Sequence, residues 1–219
     1  AARQAVEVLP CAGAQPPGVL LRKLGLDRPG AGRRVDCMRR AHVETQEAEL
    51  DVFFYTIIVC TVTGASHAGM IAGFALTDRP GRRVIGIDAS KTLEQTIDQV
   101  TRIATNTAEK IELGRPLRAD EITVIAGYEG PAYGVPDAGT VEAIHLAART
   151  EGMLTDPVYE GKSMAGLIGM IRSGEIRAGS KVLYCHLGGQ PALPAYAGFP
   201  GLGSPERERS VKQLIGRVV

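Results

Sequence analysis

The chain has 219 residues, 44% of them apolar, with no tryptophan and a formal net charge of +1. That length suits one large domain or two small ones with a sizeable core, and the near-neutral balance argues against a general nucleic-acid or membrane-surface role. No apolar run approaches the roughly 20 residues that span a bilayer, and the N-terminus lacks the continuous apolar stretch of a signal peptide.

Residues 1–43 stand apart. They hold eight Lys/Arg against three acids, and Pro16-Pro17-Gly18 and Pro29-Gly30-Ala31-Gly32 break any period. Three readings stay open: a basic arm for nucleic acid, a poorly ordered segment, and an out-of-frame translation of GC-rich DNA, which yields this Arg, Gly, Ala and Pro bias.

Residues 44–196 alternate strand and helix patterns. Val52 to Cys60 is an apolar, β-branched run that reads as a buried strand. Thr61 to Gly69 is a turn of small residues, and a helix continues through Ala75. A helix N-terminus offers free N–H groups and a positive dipole end. Small side chains from Thr63 to Ser66 let an anion approach them, and phosphate is the natural guest. The plain alternative is an ordinary connection with Ser66 as N-cap. Two enzymatic alternatives are weaker. A dinucleotide fingerprint lacks its middle glycine between Gly64 and Gly69. A nucleophile elbow at Ser66 would take Asp156 and His186 as partners, which follow in the required chain order.

Further along, Arg83 to Ala89 reads as a short buried strand. Leu93, Ile97, Val100, Ala104, Ala108 and Ile111 recur at helical spacing, which predicts a helix over 91–113. A strand over 121–126, helices over 138–149 and 162–173, and a strand over 180–186 complete the alternation. This pattern implies an α/β fold, a mostly parallel twisted sheet with helices on both faces. Ligands in such sheets sit beyond the carboxyl ends of the strands. The loops after Cys60, Ala126 and His186 are therefore where chemistry is expected. Residues 197–219 lose the pattern, apart from a short charged helix over 205–219.

The four cysteines, Cys11, Cys37, Cys60 and Cys185, have no C-x-x-C spacing. Cys185 and His186 are neighbours on a strand and point to opposite faces. No metal site and no disulfide framework is read, and a reducing cytoplasm is the expected compartment.

Three loops carry candidate chemistry. Tyr128 to Pro136 frames two tyrosines with Gly and Pro, a rigid turn-rich segment. Glu151 to Lys162 ends with Tyr159 and Glu160 at the start of a helix. His186-Leu187-Gly188-Gly189 offers paired glycines for close backbone approach.

Four of these segments together, VCTVTGASHAG (59–69), GPAYGVP (130–136), TEGMLTDPVYEGKSMAG (150–166) and LYCHLGG (183–189), resemble the 1-aminocyclopropane-1-carboxylate (ACC) deaminases. These are pyridoxal-phosphate enzymes of fold type II, the tryptophan-synthase-β-like group. The resemblance covers roughly residues 46–196, with the fold incomplete at the N-terminus. It implies that Thr63, Gly64, Ala65 and Ser66 cradle the cofactor phosphate and that Leu187 is a cofactor and specificity contact. It also implies that Tyr159 attacks the cyclopropane ring, with Tyr133 as its active-site partner, and that Glu160 faces the pyridine nitrogen. ACC has no α-hydrogen, so ring opening must start at a ring methylene, and a tyrosinate serves if its neighbours lower its pKa. The implied products are 2-oxobutanoate and ammonia. D-cysteine desulfhydrase is the alternative within the fold. Glu160 and Leu187 favour the deaminase, because that group typically has a small hydroxyl residue and a threonine there.

The family's Schiff-base lysine lies in an N-terminal Gly-Gly-Asn-Lys segment, followed by a serine–asparagine segment. Neither occurs here, and Lys23 lies too close to the phosphate loop to replace it. The resemblance therefore implies a C-terminal portion of a longer cytoplasmic homo-oligomer, inactive alone. A non-catalytic homologue of the fold is the second alternative.

Overall fold

The computed structural model describes residues 6–7, 34–77, 79, 81–90 and 92–202. Five parallel strands form one sheet. They are β1 (Val6–Glu7), β2 (Thr56–Thr61), β3 (Arg83–Asp88), β4 (Thr123–Ile125) and β5 (Val182–Cys185), in the order β1-β5-β2-β3-β4. Ile58 pairs with Ile85 on one side and Tyr184 on the other, so β2 is central. All six β2 residues are buried, as their near-continuous apolar character requires of a strand covered on both faces.

Among the described residues five α-helices cover the sheet: α1 (Arg34–Leu50), α2 (Ala65–Ala75), α3 (Leu93–Lys110), α4 (Ala138–Glu151) and α5 (Glu160–Arg172). Ile57 and Val59 point into one core with Val43 of α1, Met70 and Phe74 of α2, and Val100 and Ala104 of α3. Ile58, Ile85, Ile87 and Tyr184 point into the other core with Ala143 and Ala147 of α4 and Met164, Leu167 and Met170 of α5. The period-2 alternation of each strand thus feeds two cores.

The differences from the sequence reading have local causes. β2 begins at Thr56 and not at Val52, because the Phe54 N–H donates to the Glu47 carboxylate at 2.8 Å and leaves the ladder. Helix α1 crosses residues 43 and 44 and has no apolar period. Among its described side chains, Val43 is the core residue, and a buried ion pair of Glu47 with Arg82 (2.6 Å) anchors it instead. Helix α2 begins at Ala65, capped by Gly64 at φ +74°, so Ser66 lies inside the first turn and is not the N-cap. Helix α3 is shorter than 91–113; Thr92 caps it, accepting from Gln95 N–H at 3.4 Å. Helix α5 starts two residues before Lys162. The charged helix expected over 205–219, and nearly all of the segment before Arg34, lie outside the described residues.

Candidate active site

The carboxyl ends of β2, β3, β4 and β5 and the first turn of α5 meet at one edge of the sheet. At β2 the chain passes through Thr63, exposed, and Gly64, buried and left-handed, into the first turn of α2 with Ala65 and Ser66. No side chain caps that turn and no acid occupies it, so its leading N–H groups face outward with the dipole's positive end. Gln99 holds the loop in place by donating to the Thr63 carbonyl at 2.5 Å. Below it, His67 is fully buried, held near the Thr61 hydroxyl (3.2 Å) and the Val84 carbonyl (3.3 Å). Burial pushes its pKa down to about 4, so it is a neutral packing residue. Gly86 lies against it because a Cβ there would overlap the His67 ring and the Thr61 hydroxyl.

The second half of the site is the start of α5. Asp156 is fully buried. Its Oδ1 accepts from the N–H groups of Val158 (2.8 Å) and Tyr159 (2.9 Å), and its Oδ2 from Glu160 (2.9 Å). One carboxylate thereby fixes the backbone of both Tyr159 and Glu160. It is a helix cap, not a histidine's partner, and His186 instead meets the Leu154 carbonyl at 2.8 Å. The Ser66, His186 and Asp156 arrangement considered from chain order is not assembled. Gly189, at φ +94°, packs on Asp156, where a Cβ would overlap the carboxylate.

Glu160 is 2% exposed. Its Oε1 accepts from the Leu187 N–H at 3.2 Å, and its Oε2 lies 3.0 Å from the Tyr184 hydroxyl and 3.3 Å from Ser163 Oγ. Burial is the largest influence and pushes its pKa up to about 7, against the lowering effect of those hydrogen bonds and of His186. Tyr184 also donates to the Glu160 carbonyl at 2.7 Å. The sequence reading missed Tyr184, Ser163 and the capping role of Asp156. A tyrosine inside a buried strand was the available signal, since its hydroxyl must find a partner.

Tyr133, 56% exposed, hydrogen-bonds Tyr159 through their hydroxyls, with ring centroids 6.0 Å apart in an edge arrangement. The Tyr159 phenol is pushed up to about 12, first by the hydrogen bond to Tyr133, then by burial and by Asp156 and Cys60. The condition for a tyrosinate, neighbours that lower its pKa, is not met by this shift. Burial and the nearby Asp156 disfavour a tyrosinate there. The structure thus brings together Tyr133, Tyr159, Glu160 and Leu187, with the Thr63–Ser66 loop on the adjacent strand β2. Burial, then the charges of Glu160 and Asp156, push the pKa of the Cys60 thiol up.

A parallel sheet with helices on both faces is the architecture shared with fold type II cofactor enzymes. The pyridoxal-phosphate dependent enzyme family matches residues 36–188, and the chain belongs to it. It is 59% identical over 155 residues to an ACC deaminase of Burkholderia vietnamiensis, which covers 71% of this chain and 46% of that protein. It is 62% identical over 155 residues to an ACC deaminase of Rhizobium radiobacter, with the same coverages. The crystal structure of an ACC deaminase homologue superposes with a TM-score of 0.62 at 24% identity, over 78% of this chain and 52% of that one, and shows the shared fold. The chain spans about half the length of the curated relatives it matches.

Proposed function

We propose that this chain is the part of an ACC deaminase that holds the phosphate and ring nitrogen of pyridoxal phosphate and presents a tyrosine pair to the substrate. The identity of 59–62% to two named ACC deaminases carries this reading. The site chemistry supports it. An uncapped helix start without acids suits a phosphate, and the residues that would hold it are Thr63, Gly64, Ala65 and Ser66. A buried carboxyl with pKa about 7 suits a pyridine nitrogen, because the two share one proton near neutrality. When bound, the cofactor supplies an electron sink at the amino acid's α-carbon.

The chain's own residues do the rest. Glu160 keeps the ring-nitrogen proton in place, and the Leu187 N–H fixes the carboxyl's orientation. Tyr159 and Tyr133 stand at the mouth, where a ring methylene of ACC would lie. As this chain arranges them, Tyr159 keeps its proton. Its use as a base or nucleophile needs positive charge that the described residues do not place beside it. Of the described lysines, Lys110 ends α3 and Lys181 precedes β5, both at the opposite edge of the sheet. Lys162 has its ammonium engaged by main-chain carbonyls. None is free to hold the cofactor covalently.

The whole protein is expected to convert ACC to 2-oxobutanoate and ammonia, as a cytoplasmic homo-oligomer of the hydrolase class with no nucleic-acid or membrane partner. Among the described residues no helix is long and apolar enough to cross a membrane. D-cysteine desulfhydrase is the second reading, and Glu160 and Leu187 stand against it. The test is competition: the whole protein is given ACC and D-cysteine, and 2-oxobutanoate and sulfide are followed. Faster sulfide release than 2-oxobutanoate release overturns the deaminase reading.

A further inference from the structure

Lys162 lies in the first turn of α5 and is fully buried. Its recorded partners are main-chain carbonyls: Ala89 at 3.2 Å, Glu129 at 2.5 Å and Ala132 at 3.4 Å. An ammonium has three donors and no acceptor, enough to serve all three carbonyls. Ala89 directly follows β3, whereas Glu129 and Ala132 belong to the loop after β4 that presents Tyr133. Charged donors make the stronger hydrogen bonds. The loop closes over the ammonium: Gly130 sits at φ +70°, and a Cβ on it would meet the Val135 carbonyl at 2.5 Å and lie 3.6 Å from Nζ. Burying an ammonium is costly, and an apolar side chain of that volume would fill the space without the penalty. The cage is the return for that cost.

We propose that Lys162 is the positioning residue of the tyrosine pair: its ammonium ties the loop of residues 128–136 to the end of β3 and so holds Tyr133 against Tyr159. Its consequence for turnover rests on the deaminase reading of those tyrosines. The tether itself is tested without turnover, so the two ideas fail separately.

The test uses the 219-residue chain labelled uniformly with 13C and 15N. In the wild type at pH 7, the Lys162 ammonium protons are expected to resist solvent exchange and to show couplings to carbonyl carbons, and the Tyr133 and Tyr159 rings, with centroids 6.0 Å apart, to show cross-relaxation. Lys162→Met keeps the volume and removes the donors. The ring cross-relaxation is then expected to be lost, and amide exchange over 128–136 to rise at least about tenfold while β2 and β3 keep their rates. Lys162→Ala is expected to regain the wild-type ring contact with butylammonium and not with butanol. A folded Lys162→Met chain with unchanged ring contact and loop exchange overturns the proposal, and so does equal rescue by butanol. If Lys162→Met does not fold, wild-type ammonium protons that exchange at the solvent rate overturn it too.

Discussion

Glu160 and His67 are two buried titratable groups that pull stability in opposite directions. The Glu160 pKa rises from 4.5 to about 7. Between those values the folded chain holds a proton that the unfolded chain has released, so stability falls as pH rises through that window, by about 3 kcal/mol in all. The His67 pKa falls from 6.5 to about 4. The unfolded chain takes that proton first, so stability falls as pH drops through this window. Glu160→Gln removes the first effect and leaves the second. Urea midpoints at pH 5 and pH 8 are expected to show the variant gaining on the wild type by up to about 3 kcal/mol as pH rises. A difference that does not change with pH would mean that the buried carboxyl does not titrate in this range.

At the scale of the element, the turn between β2 and α2 is the sensitive joint. Gly64 adopts φ +74°, and a Cβ there would lie 2.9 Å from Val100 Cγ2. Inorganic phosphate is expected to raise the melting temperature of the wild-type chain, and Gly64→Ala is expected to cost about 1–2 kcal/mol and to abolish that rise. A variant melt that phosphate still raises would move the anion site elsewhere. The small-residue run from Thr63 to Ser66 made this joint legible in the sequence, and the β-branched run before it made the central strand legible. Other features were not legible, for physical reasons. Helix α1 is held by the Glu47–Arg82 pair, with the guanidinium 4.4 Å from the Phe53 ring and 4.6 Å from the Phe74 ring. Such contacts leave no period. The start of α5 is set by Asp156 reaching forward to three N–H groups, and D-P-V-Y-E does not reveal which carboxylate caps and which faces the site. The Tyr159 pKa depends on Tyr133, far away in sequence.

For the whole molecule, the chain alone with added pyridoxal phosphate is expected to release no 2-oxobutanoate from ACC, because none of its described lysines is free at the site. Measurable release would overturn this. Reading the source gene upstream of codon 1 is the companion measurement: an upstream Gly-Gly-Asn-Lys segment in a shifted frame supports the deaminase reading, and a genuine start with no such lysine favours a binding protein.

The strand order carries one more consequence. During synthesis β2, β3 and β4 emerge in succession and pair side by side. The other edge of β2, Thr56 to Val59, waits for β5, which comes near the end of the described chain. Until then the ribosome holds an apolar, hydrogen-bond-hungry edge of the kind that recruits neighbouring chains into aggregates. Strand β5 also brings the Tyr184 hydroxyl and the Leu187 N–H that hold Glu160. Sealing the sheet against aggregation and completing the site are therefore one late event, and a nascent chain stalled before β5 is both sticky and chemically blank.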